Sequence, residues 1–246
     1  MSLSPLARFR RLMVASAVLL VVAALLSPLA YAQVLSSEVQ RFRAQTITEG
    51  LEFPWGLAFL PDGRMLVTER PGRLRLVGAD GKLDPQPVSG LPPIAAVGQG
   101  GLLDVALHPD FAKNSWIYLS YAGEGPGGYG TEVLRAKLDG HALRDVQVIF
   151  RLQPKSKPGH HFGSRLVFDR QGYLYITLGD RGDMERAQRL DDHAGSIIRL
   201  HDDGRVPADN PFADKLGVKP EKFTLGNRNV QGAALHPQTG EVWAHE

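Results

Sequence analysis

A short pattern recurs four times along this chain of 246 residues, and it restricts the fold more than any other feature of the sequence. Each copy consists of a short apolar strand, a tight turn and a second strand of alternating polarity. The copies begin near Leu57, Val105, Leu166 and Ala233, at spacings of 48, 61 and 67 residues. Repeats of roughly 40–50 residues that carry β-hairpins are typical of propeller blades. The chain is therefore predicted to be all-β, with about four blades of a β-propeller present. A β-sandwich with similar hairpins is the alternative.

The second strands of the four copies end in polar residues. In a propeller, equivalent strand ends of successive blades meet around the central axis at one face. The ends here are Glu69-Arg70, Ser120-Tyr121, Gly179-Asp180 and His245-Glu246. We expect a functional site at that face. The fourth copy reaches the last residue, so we also expect an unfinished blade with an exposed strand edge, which favours association with other chains.

The first 32 residues have the pattern of a secretory signal. Three arginines precede an apolar run over residues 12–26, and Ala30-Tyr31-Ala32 supplies the small residues that a signal peptidase recognises. A retained membrane anchor is the alternative, but the run of 15 residues is shorter than the roughly 20 that a spanning helix needs. We predict a signal peptide over residues 1–32, one partial propeller domain over residues 33–246, and a periplasmic or secreted location.

The composition excludes several classes of protein. The predicted signal peptide holds three of the 28 basic residues and none of the 26 acidic ones, so the remaining chain has a net charge of −1. Without a basic cluster, we expect no nucleic-acid partner and no anionic-membrane partner. The chain has no cysteine and therefore no disulfide. It also lacks the glycine-rich dinucleotide loop and the Walker sequence, which argues against a nicotinamide enzyme.

Three polar clusters flanked by glycine lie beside the hairpins, over residues 98–101, 159–165 and 226–232. The first contains Gln99 and could be a flexible turn. The second contains His160 and His161; in an extended segment their side chains would face opposite sides and would not bind one metal together. A histidine that faces a pocket suits general-base chemistry, because its pKa lies near neutrality. A purely structural histidine is the alternative.

The third cluster places Arg228 between Asn227 and Asn229. A guanidinium and two amides suit a ligand rich in carbonyl and carboxylate oxygens, because arginine pairs with planar acceptors through two parallel hydrogen bonds. A polar turn is the alternative. The adhesion tripeptide Arg181-Gly182-Asp183 is short enough to occur by chance, and we assign it no function.

Five strings in the same order resemble the glucose/sorbosone dehydrogenase family, from about Gln45 to the last residue. They are Phe53-Pro54-Trp55-Gly56-Leu57-Ala58-Phe59-Leu60-Pro61-Asp62-Gly63, Gly98-Gln99-Gly100-Gly101-Leu102-Leu103-Asp104, His161-Phe162-Gly163-Ser164-Arg165-Leu166, Asp209-Asn210-Pro211-Phe212 and Gly226-Asn227-Arg228-Asn229-Val230-Gln231-Gly232. The pattern is most similar to the soluble aldose sugar dehydrogenases that use pyrroloquinoline quinone (PQQ).

The resemblance implies a six-bladed propeller in the full-length protein, with PQQ over its axis, held partly by Ca²⁺, and oxidation of aldoses to lactones. His161 would be the general base that takes the proton from the anomeric hydroxyl. Arg228 and Asn229 would contact the quinone oxygens, with Arg228 stabilising the charge that develops there. Gln99 would hold a sugar hydroxyl, and Gln231 would line the cofactor pocket.

Two departures from the family pattern change what is expected. His160 occupies the position at which glucose-oxidising relatives have an acidic residue, and it is expected to contact the sugar. Because of this difference, the resemblance does not predict which sugar is preferred. The backbone carbonyls that bind calcium in the family follow the segment that matches His245-Glu246. We therefore expect the calcium ligands beyond the end of this chain, assign none within it, and expect weak PQQ binding and no turnover. The electron acceptor is unknown, and a homodimer is an open alternative.

Two other functions are compatible with the same fold. A non-catalytic secreted propeller would bind a protein or a carbohydrate, and it would have no need of His161 facing an arginine. A metal-dependent sugar lactonase would need carboxylate and amide ligands around one calcium ion. Glu69, Asp180 and Asn229 are the candidates for that role.

Overall fold

The computed structural model describes residues 33–246, which form fifteen β-strands and two helices of four residues each. The chain divides into two compact units between Ile47 and Thr48. In the first unit, β1 (Gln33–Ser36) and β2 (Arg41–Ala44) form an antiparallel hairpin. Within residues 33–246, neither helix has the length and apolar character to cross a membrane. The predicted signal peptide lies outside the described residues.

The unit from Thr48 to Glu246 contains four antiparallel sheets, one for each copy of the hairpin pattern. The first consists of β3 (Pro54–Phe59), β4 (Met65–Glu69) and β5 (Arg73–Val77). The second consists of β6 (Leu102–Leu107), β7 (Trp116–Gly125), β8 (Gly128–Asp139) and β9 (Ala142–Arg151). The third consists of β10 (Leu166–Phe168), β11 (Leu174–Thr177), β12 (Ser196–Leu200) and β13 (Lys222–Leu225), and the fourth of β14 (Gly232–Leu235) and β15 (Val242–His245). The helices are α1 (Phe111–Asn114) and α2 (Met184–Ala187). The prediction of an all-β chain is confirmed.

The turns of the first and third copies form for the same chemical reason. A carboxylate oxygen of Asp62 accepts the backbone N–H of Arg64 at 3.1 Å, and Asp169 accepts that of Gln171 at 2.9 Å. Gly63 and Gly172 follow with φ of 86° and 84°, a conformation that costs glycine little because it has no Cβ. These side-chain bonds fix the two-strand register of each hairpin.

Apolar side chains fill the spaces between successive sheets. Leu66 of the first sheet belongs to one buried cluster with Leu102 and Leu119 of the second. Tyr118 of the second sheet belongs to another with Ile176 of the third. Truncation of such a side chain to alanine costs about 2–5 kcal/mol, so these clusters hold neighbouring sheets together.

A buried hydroxyl at the same position of three sheets also connects each sheet to the next. Thr68, Ser120 and Thr177 are the three residues, and all lie on the second strand of their sheets. Each accepts a backbone N–H from the first strand region of its own sheet, from Gly56, Asp104 and Arg165 in turn, at 2.8 to 2.9 Å. Each donates to a carbonyl at the start of the next sheet, that of Leu103, Ser164 and Val230 in turn. The segments around residues 164 and 230 are thereby fixed beside each other.

Candidate active site

His161 lies in the loop before β10, where its imidazole is part-buried and bound to a carboxylate. The distance from Nδ1 to Oδ1 of Asp180 is 2.7 Å, and the side chains are 13% and 7% exposed. An ionised carboxylate can only accept, so Nδ1–H donates in this bond. The other nitrogen, Nε2, then carries the lone pair. The arrangement gives an oriented imidazole that can take a proton at Nε2.

Asp180 is itself held from several directions. Its Oδ1 also accepts the backbone N–H of Gly182 at 2.7 Å, and its own N–H donates to the carbonyl of Arg228 at 2.8 Å. A Cβ at Gly179 would collide with the carbonyl of His161, so a glycine is needed there to bring the aspartate against the histidine. The sequence indicated Asp180 as a polar strand end, but not as the partner of His161.

Gln99 joins the site from the loop between β5 and β6. Its Oε1 accepts the backbone N–H of His161 at 2.9 Å, and its own N–H donates to the carbonyl of Gly159 at 2.7 Å. A side chain at Gly98 would overlap that carbonyl, so a glycine permits the two loops to approach. Because Oε1 accepts a backbone hydrogen bond, the NH₂ group of Gln99 is the part of the amide that can donate to a ligand.

Asn229 makes an equivalent contact from the loop before β14. Its Oδ1 accepts the backbone N–H of Gly163 at 3.0 Å, and its backbone pairs with Gly179 in an isolated antiparallel bridge. The NH₂ group of Asn229 is again left as a donor. Arg228 precedes it with an exposed side chain. The N–H groups of both residues donate to the carboxylate of Glu246, at 2.8 Å from Arg228 and 3.1 Å from Asn229.

The structure differs from the sequence-based expectation at the two neighbouring histidines. His161 has a φ of 56°, so the segment is not extended there, and the rings of His160 and His161 meet edge to face with centroids 4.7 Å apart. The expectation that they face opposite sides is therefore wrong. Within residues 33–246 they do not join a third residue in a metal-ligating group.

Not every predicted site residue is brought to the imidazole. Gln99, His160, His161, Asn229 and Arg228 form one neighbourhood through the contacts described above. Gln231 is exposed, and its backbone carbonyl accepts Nε of Arg165 at 3.2 Å. In the described part of the chain, no hydrogen bond from the Gln231 side chain to the other site residues is found.

The ligand set of the lactonase alternative does not converge in the described residues. Glu69 is buried and bound by Arg73 at 2.5 Å and by the N–H of Glu52 at 2.6 Å. Asp180 is bound to His161. No group of three or more histidine, aspartate or glutamate side chains suited to a metal ion is found over residues 33–246.

Comparisons with known proteins agree on one family. Residues 51–246 match a family model described as Glucose / Sorbosone dehydrogenase. Aldose sugar dehydrogenase YliI of Escherichia coli strain K12 is 45% identical over 206 residues, covering 82% of this chain and 55% of that protein. The chain thus spans little more than half the length of two curated relatives that it matches, 56% and 55%.

Two solved structures give the same result. One described as a crystal structure of glucose dehydrogenase is 48% identical, with a TM-score of 0.79, and the match covers 82% of this chain and 60% of that one. The PQQ-bound form of aldose sugar dehydrogenase from Streptomyces coelicolor is 30% identical, with a TM-score of 0.72 and coverage of 89% and 62%.

Proposed function

The chain belongs to the glucose/sorbosone dehydrogenase family, and from this premise we propose that its site serves the PQQ-dependent oxidation of an aldose at the anomeric carbon, with a lactone as product. The observation that carries the proposal is the pair of His161 and Asp180. One imidazole nitrogen is bound to a carboxylate 2.7 Å away, and the other is left for a substrate hydroxyl. A sugar dehydrogenase needs such a base, because the anomeric hydroxyl must lose a proton as the carbon is oxidised.

The donor set around His161 fits an anionic quinone. PQQ carries carboxylate groups and quinone oxygens, all of which accept hydrogen bonds. The NH₂ groups of Gln99 and Asn229 are donors, and the exposed guanidinium of Arg228 makes no ion pair with a residue of the described part. When bound, PQQ would supply the oxidant that accepts the hydride. Arg228 and Asn229 are the residues that we propose hold it, with Gln231 at the edge of the same loop.

The roles of the remaining residues follow from their contacts. Nε2 of His161 takes the proton of the anomeric hydroxyl, while Asp180 keeps the proton on Nδ1 and stabilises the imidazolium that results. The guanidinium of Arg228 is the group that we propose stabilises the negative charge that develops on the cofactor oxygens. The NH₂ of Gln99 and the ring of His160 are the groups that we propose contact sugar hydroxyls.

Calcium remains part of the proposal without a ligand in this site. Calcium takes six to eight oxygen ligands, among them backbone carbonyls. The described residues provide no group of three acidic or histidine side chains that would hold a metal ion. The side chains of the described residues do not form a calcium site by themselves, and no step is assigned to the ion.

The setting of the protein is also a proposal. The pattern of the first 32 residues supports export to the periplasm or the medium. The substrate would be a small aldose, and a separate electron acceptor would complete the reaction. A homodimer stays an open alternative.

The test is sugar-dependent dye reduction by the protein expressed from the longest reading frame that contains this chain, with and without PQQ and Ca²⁺. We expect activity that requires PQQ and falls about 100-fold or more in His161→Ala, since loss of general-base catalysis costs about 10²–10⁴-fold. His141→Ala is the matched control, because His141 also pairs with an aspartate, Asp84, at 2.7 Å, but in the turn between β8 and β9. A folded protein that binds no PQQ and oxidises no aldose of a broad panel would favour the non-catalytic propeller.

A further inference from the structure

Arg181 follows Asp180 directly, and its side chain packs against the loop of residues 158–165, which carries His160 and His161 and is called the histidine loop below. The residue is only 1% exposed. Its Nη1 donates to the carbonyl of His160 and its Nη2 to the carbonyl of Pro158. The guanidinium carbon lies 3.7 Å from the centre of the Phe162 ring, within the range of a cation–π interaction. One side chain thus contacts residues on both sides of His161.

This burial is energetically unfavourable for a cation. Over residues 33–246, Arg181 has no carboxylate within ion-pair distance, and its Nε has no hydrogen-bond partner. Burial, together with the nearby charge of Arg186, lowers the pKa of Arg181 to about 10. Removing an unpaired charge from water costs several kcal/mol, so the two carbonyls and the aromatic face must offset that cost.

The backbone around Arg181 is shaped for the same contact. Arg181 has a φ of 60°, a conformation that is uncommon for residues other than glycine. Gly182 follows with a φ of 79°, and a Cβ at that position would collide with Nε2 of His160. The turn of Asp180, Arg181 and Gly182 therefore encloses the histidine loop from one side.

We propose that Arg181 is a positioning residue for His161: its guanidinium holds the carbonyls of Pro158 and His160 and thereby sets the backbone that presents the imidazole to Asp180. The inference rests on the proposed function for its effect on catalysis, and on the contacts alone for its effect on the ring. Because Arg181 is buried, we assign it no contact with substrate or cofactor. Its loss would let the loop relax and displace Nε2, and a misplacement of about 1 Å can cost about 100-fold in rate.

Arg186 offers a matched control on the same segment. It is 9% exposed, and it donates to the carbonyl of Pro154 at 2.6 Å and to Asp192 at 2.8 and 3.0 Å. It is therefore a buried arginine that holds a backbone carbonyl, but not one of the histidine loop. Arg186→Met reports the general cost of losing such a side chain.

The kinetic test compares Arg181→Met, Arg181→Lys and Arg186→Met in sugar-dependent dye reduction at saturating PQQ, each in the protein expressed from the longest reading frame that contains this chain. We expect kcat of Arg181→Met to fall about 100-fold with KM changed less than about threefold. We expect Arg181→Lys, which keeps the charge and one donor to the loop, to recover about tenfold of that loss. Arg186→Met should keep kcat per folded molecule. Equal kcat losses in the two methionine variants, or no recovery with lysine, would overturn the inference.

A second readout does not depend on activity. The Nδ1–H proton of His161, assigned by its absence in His161→Gln, is followed by NMR of the histidine imidazoles without cofactor. We expect its hydrogen-bonded signal to disappear in Arg181→Met and to persist in Arg186→Met. A persistent signal in Arg181→Met overturns the inference, whatever the activity. If the unaltered protein oxidises no sugar but the signal behaves as expected, the positioning role holds and the proposed function fails. If Arg181→Met does not fold, Arg181→Lys decides the question. A weakened Nδ1–H signal in Arg181→Lys supports the inference, and an unchanged signal overturns it.

Discussion

Oδ1 of Asp180 lies 2.7 Å from Nδ1 of His161 and also accepts the N–H of Gly182, so that one carboxylate oxygen holds the ring and the turn behind it. The first prediction is that Asp180→Asn lowers kcat by about 10²–10⁴-fold with little change in KM. Asparagine keeps an oxygen that can accept Nδ1–H and the N–H of Gly182, but it carries no negative charge. The imidazolium that forms when Nε2 takes the proton therefore loses the carboxylate that stabilises it. The measurement is steady-state dye reduction, with Asp84→Asn as control, since Asp84 binds His141 instead. An unchanged kcat would contradict the orienting role.

Asn229 allows its two functions to be separated. Asn229→Asp keeps an oxygen that accepts the N–H of Gly163, but it replaces the NH₂ group with an oxygen and adds a negative charge. We expect the variant to fold like the unaltered protein and to bind PQQ about ten- to 100-fold more weakly, because a hydrogen bond to a charged group is worth about 1.5–3 kcal/mol. Titration of the cofactor by fluorescence quenching measures the affinity. Tight binding by this variant would exclude the NH₂ group as a cofactor contact.

Arg228 is expected to contribute charge rather than structure. Its backbone N–H contacts Glu246 and its carbonyl accepts the N–H of Asp180, and neither contact involves the guanidinium. Arg228→Met should therefore weaken PQQ binding about tenfold or more while leaving the urea midpoint unchanged. Arg170→Met is the control, because Arg170 is an exposed arginine that donates to carbonyls of Pro237 and Gln238. A similar loss of PQQ affinity in both variants would show a non-specific charge effect.

The buried hydroxyls between sheets predict a stability effect without a large change in shape. Thr177→Val removes the acceptor of the Arg165 N–H and the donor to the Val230 carbonyl, which leaves two backbone groups without a partner. Each such group costs about 1–3 kcal/mol, so we expect the free energy of unfolding to fall by about 2–6 kcal/mol. Urea denaturation measures it. Thr239→Val, at an exposed turn, should change it by less than about 0.5 kcal/mol. Equal effects would contradict the role of the hydroxyl.

His193 predicts a pH dependence of stability. Its Nδ1 accepts the N–H of Gln153 at 2.8 Å and its Nε2–H donates to Glu221 at 2.7 Å, so the folded state binds the neutral ring. Burial lowers the pKa of His193 from 6.5, and the bond to Glu221 opposes this only in part. The unfolded chain therefore takes up a proton first as the pH falls below 6.5, and stability falls from that pH downward. The slope contributed by one group is at most about 1.4 kcal/mol per pH unit.

Urea denaturation between pH 5 and pH 7.5 tests the His193 prediction. His193→Gln should lose much of the slope below pH 6.5, because the side chain no longer titrates. His141→Gln, at a half-exposed site, serves as the control and should keep the slope. An unchanged slope in His193→Gln would assign the pH dependence to other groups.

The structural features that could be predicted from the sequence are those formed by residues close together in the chain. The hairpins and their turns could be predicted because Asp62 and Gly63 act on neighbours two residues away. The outer strands of the sheets, such as β9 and β13, were not assigned, because no turn motif marks them. The site residues were found as motifs, but their contacts were not.

The contacts that were missed depend on conformations that the sequence pattern does not encode. Asp180 reaches His161 because Gly179 permits a close backbone approach, and this depends on the packing of two loops. The two histidines meet because His161 has a positive φ, which is unusual outside glycine. Arg181 belonged to a tripeptide with no assigned function, and its burial and its contacts with the histidine loop depend on the tertiary structure.

The two amides of the site have a consequence for anyone who wishes to change its substrate range. Gln99 and Asn229 each accept a backbone N–H of the histidine loop with their oxygen, and within the described residues their NH₂ groups make no hydrogen bond. The same two side chains thus hold the loop and supply the donors that we propose contact a ligand. Most substitutions at Gln99 or Asn229 would therefore disturb the loop before they changed the substrate range. The His160 ring makes no hydrogen bond within the described residues, although it packs against Gly182 and lies edge to face with the ring of His161. Variation aimed at a different sugar is therefore best begun at His160.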